Sequence, residues 1–357
     1  MTFQKLISKT KKITKYERIL FFVLFVSFFL RFWQLGFSHF YGDETKTFYL
    51  DKTVSATKYL LDQRKGPVQF LAVWVMEKVV GGYDEFYTRL PFAWAGFLSV
   101  LVLYLLLDKI FNKRVALIGT TLFGLNGFYI AFSRTTQYQS FLVFFGLLSI
   151  YFGYLYYESS LKNKNQYLVL SAVMLAGAYL CHYDALFFDV AVGFILLKKI
   201  FEDKRSVIEI LKYFLVPFLV VISIFYVPYY IYGYYVSNTA NYVGRRLVGK
   251  DLLQNLSWYT FWIYNPQIIW AFLSVFIVPY FYKQSSWKRN FVLFWFLFSI
   301  IFFEFIFSNP GTHIHNYFLP FMILVSLGIN DVYIFLKSNV YENVFLLFIS
   351  LAFIFIL

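Results

Sequence analysis

Two adjacent carboxylates, Asp43 and Glu44, follow Gly42 about eight residues after the first long apolar run ends. A carboxylate held beside a reacting hydroxyl can accept its proton as the oxygen attacks. Asp also caps helices by accepting hydrogen bonds from first-turn amides, so a general base and an N-cap both fit Asp43 on residue type alone. Cationic and imidazole side chains can hold an anion through charge-assisted hydrogen bonds. Those at turning points of the chain are Lys65, just before Gly66-Pro67, then Arg134, His182, Arg245 and Arg246, and finally His313 and His315 beside Pro310-Gly311. Each could instead lie along a membrane interface with its polar end in water. His313 and His315 alone, with no further matching ligands, do not make a metal site. No cofactor is expected to be required; a divalent cation such as Mg or Mn is compatible with this chemistry, but no residue pattern indicates one.

The elements that carry these residues must be membrane helices. Hydrophobic residues make up 60% of the 357, charged residues only 14%, and mean hydropathy is +0.62. Soluble domains carry ~25% charged residues, so a soluble globular enzyme and a disordered chain are excluded. The single cysteine, Cys181, excludes a disulfide scaffold. The apolar stretches run continuously and do not alternate with period two, which argues against a transmembrane β-barrel. The expected fold is an all-α polytopic integral membrane protein of about eleven spans. They are placed at Ile19–Leu35, Pro91–Leu107, Val115–Phe132, Phe141–Tyr157, Tyr167–Leu180, Ala185–Leu197, Tyr213–Tyr235, Pro266–Tyr282, Phe291–Phe307, Tyr317–Leu336 and Val344–Leu357.

Charge orients the bundle. The net charge is +13, and with the N-terminus inside, 20 of the 32 Lys and Arg fall in inside segments. The short outside loops near 133–139, 181–184 and 308–316 hold only Arg134 among Lys and Arg. That asymmetry sets residues 1–18 in the cytoplasm. The basic balance therefore reflects topology, and no nucleic-acid partner is expected. The chain reads as one transmembrane domain over 1–357 with no soluble C-terminal domain. Two outside loops are long, at 36–90 and 236–265, and long loops tend to carry function. In the first, Pro67–Val80 is apolar but too short to cross ~30 Å of hydrocarbon; Pro67 suits a helix start and Gly81-Gly82 a stop. It and Thr45–Leu61 are expected to be interfacial helices. Trp258, Tyr259 and Trp262 suit an aromatic belt. Asp189 and Glu304 fall inside expected spans, where charge is costly.

The order and placement of several short motifs resemble a known family. Phe40-Tyr41-Gly42-Asp43-Glu44, Gly66-Pro67-Val68-Gln69-Phe70, Tyr87-Thr88-Arg89-Leu90-Pro91, Asn112-Lys113-Arg114-Val115-Ala116-Leu117 and Phe132-Ser133-Arg134 are similar to polyprenyl-phosphate-sugar glycosyltransferases of the GT-C fold. These comprise glycosyltransferase family 39, the protein O-mannosyltransferases and the aminoarabinose lipid A transferases. Cys181-His182-Tyr183-Asp184-Ala185-Leu186 and Asn316-Tyr317-Phe318-Leu319-Pro320 are weaker echoes, so the likeness covers mainly residues 20–190. Thr135-Thr136-Gln137 stands where the family has a second acidic residue, and Asn316 where it often has a basic one.

The resemblance implies a GT-C-like bundle in the cell membrane. It implies an inverting transfer of a sugar from a polyprenyl monophosphate to a hydroxyl of a lipid, glycan or protein, on the extracytoplasmic side. It implies Asp43 as general base, with Glu44 orienting it or binding the acceptor. Lys65, Arg134, His182, Arg245, Arg246, His313 and His315 are then the candidates for holding donor phosphate. Two other classes share the composition: a transporter or flippase of lipid-linked sugars, which would favour inverted repeats, and a glycan polymerase or ligase using a polyprenyl diphosphate donor.

Overall fold

The computed structural model describes residues 14–63, 66–161, 163–247, 273–278, 286–307 and 311–338. The described chain is helical throughout. Helix α1 spans Lys15–Phe32, α2 Ala56–Leu61, α3 Pro67–Val80, α4 Glu85–Ile110, α5 Lys113–Gly124, α6 Gly127–Ser133, α7 Gln139–Glu158, α8 Asn165–Cys181 and α9 Leu186–Glu202. Helix α10 spans Ser206–Ile231 with a π-helical turn at Leu211–Leu215. The short α11 covers Asn241–Leu247, α12 Trp287–Ile306 and α13 His315–Ser338.

Five described helices are long and apolar enough to cross a membrane, and six if α5 and α6 count as one. The expectation of about eleven spans is not met among the described residues. Apolar runs set an upper bound on spans: α8 is only 17 residues long, and α1 carries Lys15, Glu17, Arg18 and Arg31. Most of Pro266–Tyr282 and all of Val344–Leu357 lie outside the described residues. A 26-residue helix such as α4 is about 39 Å long at 1.5 Å per residue, ample for ~30 Å of hydrocarbon. It begins six residues before Pro91, with Asp84 as N-cap accepting from the amides of Phe86 and Tyr87.

Helices α4, α5, α7, α8, α9 and α13 enclose the core, with Val100, Leu103, Leu147, Ile150, Ala172, Val192, Met322 and Val325 fully buried. Helix α10 instead turns Val216, Leu219, Val220, Ile224 and Ile231 outward, as a helix facing lipid would. The expected span Val115–Phe132 is bent by 63° between α5 and α6. Asn126 starts α6 afresh by accepting from the amides of Phe128 and Tyr129. The Gly124 carbonyl, freed at the break, accepts from buried Arg31 Nη1 at 2.8 Å. Arg31 also reaches Ser27 Oγ at 2.6 Å and Ser133 Oγ at 3.3 Å, tying α1 to both halves of the broken helix.

The loop helices divide between expectation and correction. Helix α3 has the expected bounds, with Pro67 in its first turn and Gly81 left-handed at its end. The expected helix Thr45–Leu61 is absent. Gly42–Thr47 forms a 3-10 turn, extended chain follows, and only Ala56–Leu61 is α-helical. Asp51 Oδ1 accepts from Thr53 amide and hydroxyl, and Ser55 caps the new helix. These local bonds compete with a continuous helix.

Candidate functional site

Asp43 and Glu44 have separate surroundings. Glu44 is 2% exposed and closes a two-pronged pair with Arg89: Nε donates to Oε1 at 2.9 Å and Nη2 to Oε2 at 2.9 Å. The amides of Thr136 and Tyr41 donate to the same two oxygens, each at 3.0 Å. Glu44 thus caps the 3-10 turn, a role that residue type alone allowed Asp43. Arg89 further donates to the carbonyls of Leu35, Ser38 and His39, pinning the chain that leaves α1 against the start of α4. The Asp43 carboxylate, one residue earlier, projects to the half-exposed side and pairs with exposed Lys46.

Residues 134–138 link this turn to a second polar cluster. Arg134 donates through Nη1 to the carbonyls of Leu30, Arg31 and Trp33 and through Nη2 to that of Gln34. It therefore caps the carbonyl end of α1, where a cation is favoured. Thr136 contacts Glu44, and its carbonyl accepts from Gln69 Nε2 of α3. Two residues on, the Tyr138 hydroxyl lies 3.4 Å from Asp184 Oδ2. Burial, and then the charge of Asp184, hold the Tyr138 phenol well above its ordinary range, so it serves as a donor.

Asp184 is the centre of that cluster and is 2% exposed. His182 Nδ1 lies 3.0 Å from its Oδ1, while His313 Nδ1 and Asn316 Nδ2 lie 2.8 and 3.0 Å from its Oδ2. His315 Nε2 stands 3.8 Å from Oδ2. Burial pushes the Asp184 carboxyl up, but His182 and His313 outweigh it and leave the group well below the usual carboxylate range. Tyr242 of α11 reaches His313 Nε2 at 3.5 Å, and Arg246 lies over the Tyr242 and Phe307 rings. His182, Asp184 and His313 bring ligand atoms within 4.8 Å of one another. Gly66 is fitted closely to this region. At φ +102° a Cβ there would meet the Leu180 carbonyl oxygen at 2.4 Å, two residues before His182.

Of the residues expected from sequence, His182, His313 and His315 converge on Asp184, and Arg246 flanks them. Arg134 sits apart at the end of α1. Arg245 donates to the Asn241 carbonyl of its own helix. Lys65, Trp258, Tyr259 and Trp262 lie outside the described residues. Asp189 accepts from Tyr179 hydroxyl at 3.2 Å within the bundle, and Glu304 lies in the π-helical turn Phe302–Ile306. Sequence reasoning passed over Arg89 and Asp184 as site residues. Arg89 stood in the Arg-Leu-Pro motif and Asp184 in His-Tyr-Asp, but nothing local shows that their partners lie 45 and 129 residues away.

Both clusters gather at one end of the bundle, where α1, α6, α8 and α12 end and α4, α7, α9 and α13 begin. The other end is basic. Lys109 pairs with Glu158, Lys164 with Glu209, and buried Arg289 with Asp331.

Residues 64–231 match the family model described as dolichyl-phosphate-mannose-protein mannosyltransferase. The matched segment includes Arg89, Arg134, His182 and Asp184 and leaves out Asp43, Glu44 and His313. No curated protein matches the chain. Among solved structures, ArnT from Cupriavidus metallidurans bound to undecaprenyl phosphate is similar with a TM-score of 0.64 at 15% identity, over 87% of this chain and 60% of that one. The Archaeoglobus fulgidus oligosaccharyltransferase in the apo form is similar at 0.60 and 15%, over 97% and 55%. Its complex with an inhibitory peptide and a dolichol-phosphate is similar at 0.58 and 14%, over 96% and 54%. This chain thus spans just over half the length of those proteins, and at such identities the likeness concerns the fold. The chain is a multi-pass membrane protein of GT-C-like fold whose residues 64–231 match the dolichyl-phosphate-mannose-protein mannosyltransferase family model.

Proposed function

We propose that the protein transfers a sugar from a polyprenyl monophosphate to an acceptor hydroxyl, with Asp43 as general base. The observation that carries this reading is the division of labour at 43–44. Glu44 is locked with Arg89 and positions the turn, which leaves the Asp43 carboxylate half-exposed at the bundle end beside the exposed Lys46. An incoming hydroxyl can displace Lys46. Its oxygen then attacks the anomeric carbon, the bond from that carbon to the phosphate oxygen breaks, and the hydroxyl proton passes to Asp43. The products are the glycosylated acceptor, with inverted configuration, and polyprenyl phosphate. A base placed in this way contributes typically ~10²–10⁴-fold.

The lipid donor is supported by the family of residues 64–231 and by the bound undecaprenyl phosphate and dolichol-phosphate of the similar structures. The extracytoplasmic placement is supported by the basic opposite end, since cytoplasmic loops collect Lys and Arg. The test is a proteoliposome assay with a panel of radiolabelled polyprenyl-phosphate hexoses and pentoses, offered with lipid, glycan and peptide acceptors. Label moving onto an acceptor, with release of polyprenyl phosphate, is the expected result. Label that crosses the bilayer still attached to its original lipid would overturn the reading in favour of a flippase.

A further inference from the structure

The Asp184 cluster sets imidazole lone pairs against a buried carboxylate. His315 Nδ1 lies 2.9 Å from the Thr312 carbonyl oxygen, which can only accept, so Nδ1 carries the ring proton. Its Nε2 therefore presents a lone pair. That atom is fully buried, has no hydrogen-bond partner among the described residues, and faces Asp184 Oδ2 at 3.8 Å. His182 repeats the pattern. Its Nδ1 accepts from the Asp184 amide at 3.1 Å and, with that lone pair engaged, faces Asp184 Oδ1 at 3.0 Å. Asn316 Oδ1 is a further buried oxygen with no partner among the described residues, although its Nδ2 donates to Asp184. His313 Nδ1, 2.8 Å from Oδ2, is placed to donate to the carboxylate, beside Asn316 Nδ2 and the Tyr138 hydroxyl. Two imidazole lone pairs, of His182 Nδ1 and His315 Nε2, thus face one buried anion.

We infer that His182, Asp184, His313 and His315 form a binding site for one divalent transition cation, drawn from the chemistry of zinc. Two imidazole nitrogens and a carboxylate oxygen within 4.8 Å of one another are the donor set such an ion takes. Two ligands ~2.1 Å from one ion at a tetrahedral angle stand about 3.4 Å apart. Two acceptors bridged by one water stand about 4.4 Å apart, for hydrogen bonds of ~2.8 Å. The observed 3.8 Å is nearer the first. The ligands come from three places, namely the α8–α9 turn, the 3-10 turn Gly311–Ile314 and the first turn of α13, so a bound ion would clamp the helix ends that flank Tyr138. In sequence the His313/His315 pair stood alone; the fold adds Asp184 and His182 from more than 125 residues away. This inference does not depend on the transfer reaction.

The test uses the full-length protein, purified in detergent through a histidine-free tag, stripped with a chelator and dialysed against Zn²⁺ or Co²⁺. Metal content by mass spectrometry should approach one ion per chain, and Co²⁺ should show the intense visible absorption of a low-coordinate nitrogen–oxygen site. His182→Gln and His315→Gln should each weaken Zn²⁺ binding by at least about tenfold, the lower end of what even an outer partner is worth, whereas Lys204→Ala should not. Zn²⁺ should raise the melting midpoint of the wild type and not that of His315→Gln, and metal-free melts show that each variant is folded. Wild type that retains no stoichiometric metal and shows no Zn²⁺-dependent shift would overturn the inference, leaving a water-bridged cluster. So would a folded double variant that binds as the wild type does.

Discussion

Replacing Glu44 with Gln separates positioning from catalysis. Each Glu44 oxygen accepts two donors: Oε1 from Arg89 Nε and the Thr136 amide, Oε2 from Arg89 Nη2 and the Tyr41 amide. Whichever way the new amide turns, its NH₂ meets two N–H groups. Glu44→Gln therefore loses two hydrogen bonds, adds a donor–donor clash and leaves the buried Arg89 charge without its anion. Breaking such a pair from one side costs about 3–5 kcal/mol. At ~2 °C per kcal/mol, the low end for larger chains, the melting midpoint should fall by roughly 6–10 °C. Asp43→Asn disturbs a solvent-exposed pair with Lys46, of a kind worth ~0–1 kcal/mol, so its midpoint should fall by much less than that of Glu44→Gln. Both midpoints can be read by fluorescence-detected size exclusion after heating in detergent. Equal melting of Glu44→Gln and wild type would refute the positioning role.

Further outcomes follow from other contacts. Gly66→Ala should lower the melting midpoint and any transfer activity together, because its φ of +102° and the Leu180 carbonyl at 2.4 Å both oppose a Cβ; Gly82→Ala, with nothing within 4 Å, should match wild type in the same assays. At the far end, Asp331→Asn should destabilise by about 3–5 kcal/mol by stranding buried Arg289, and the double replacement Arg289→Met/Asp331→Leu should recover most of that loss; a double variant no better than the single one would contradict this. For orientation, a cysteine at exposed Asp51 should react with an impermeant maleimide added to intact cells, and one at exposed Lys204 only after lysis, since native Cys181 is buried; the reverse pattern would invert the topology.

What sequence could and could not show divides along physical lines. Helix α3 was legible to the residue because Pro67 and Gly81 fix its ends by local backbone preference. The break between α5 and α6 was signalled by Asn126-Gly127, yet the apolar run continues through it and hydropathy alone reads one span. Thr45–Leu61 looked helical from its apolar contacts, but Asp51, Thr53 and Ser55 satisfy the backbone locally and stop the helix. The turn at Asp43-Glu44 was visible as a motif, whereas the fate of each carboxylate was not. Adjacent side chains point different ways, and only the fold places Arg89 and Thr136 on Glu44. Asp184 was hidden for the same reason, since its partners arrive from Tyr138 just before α7, from the 3-10 turn Gly311–Ile314 and from the start of α13.

The most direct measurement is single-turnover sugar transfer in proteoliposomes by wild type and Asp43→Asn, with donor binding measured in parallel. Wild type should transfer label, and Asp43→Asn should bind donor normally while transferring ~10²–10⁴-fold more slowly. Undiminished transfer by Asp43→Asn would contradict the assignment of Asp43 as the base.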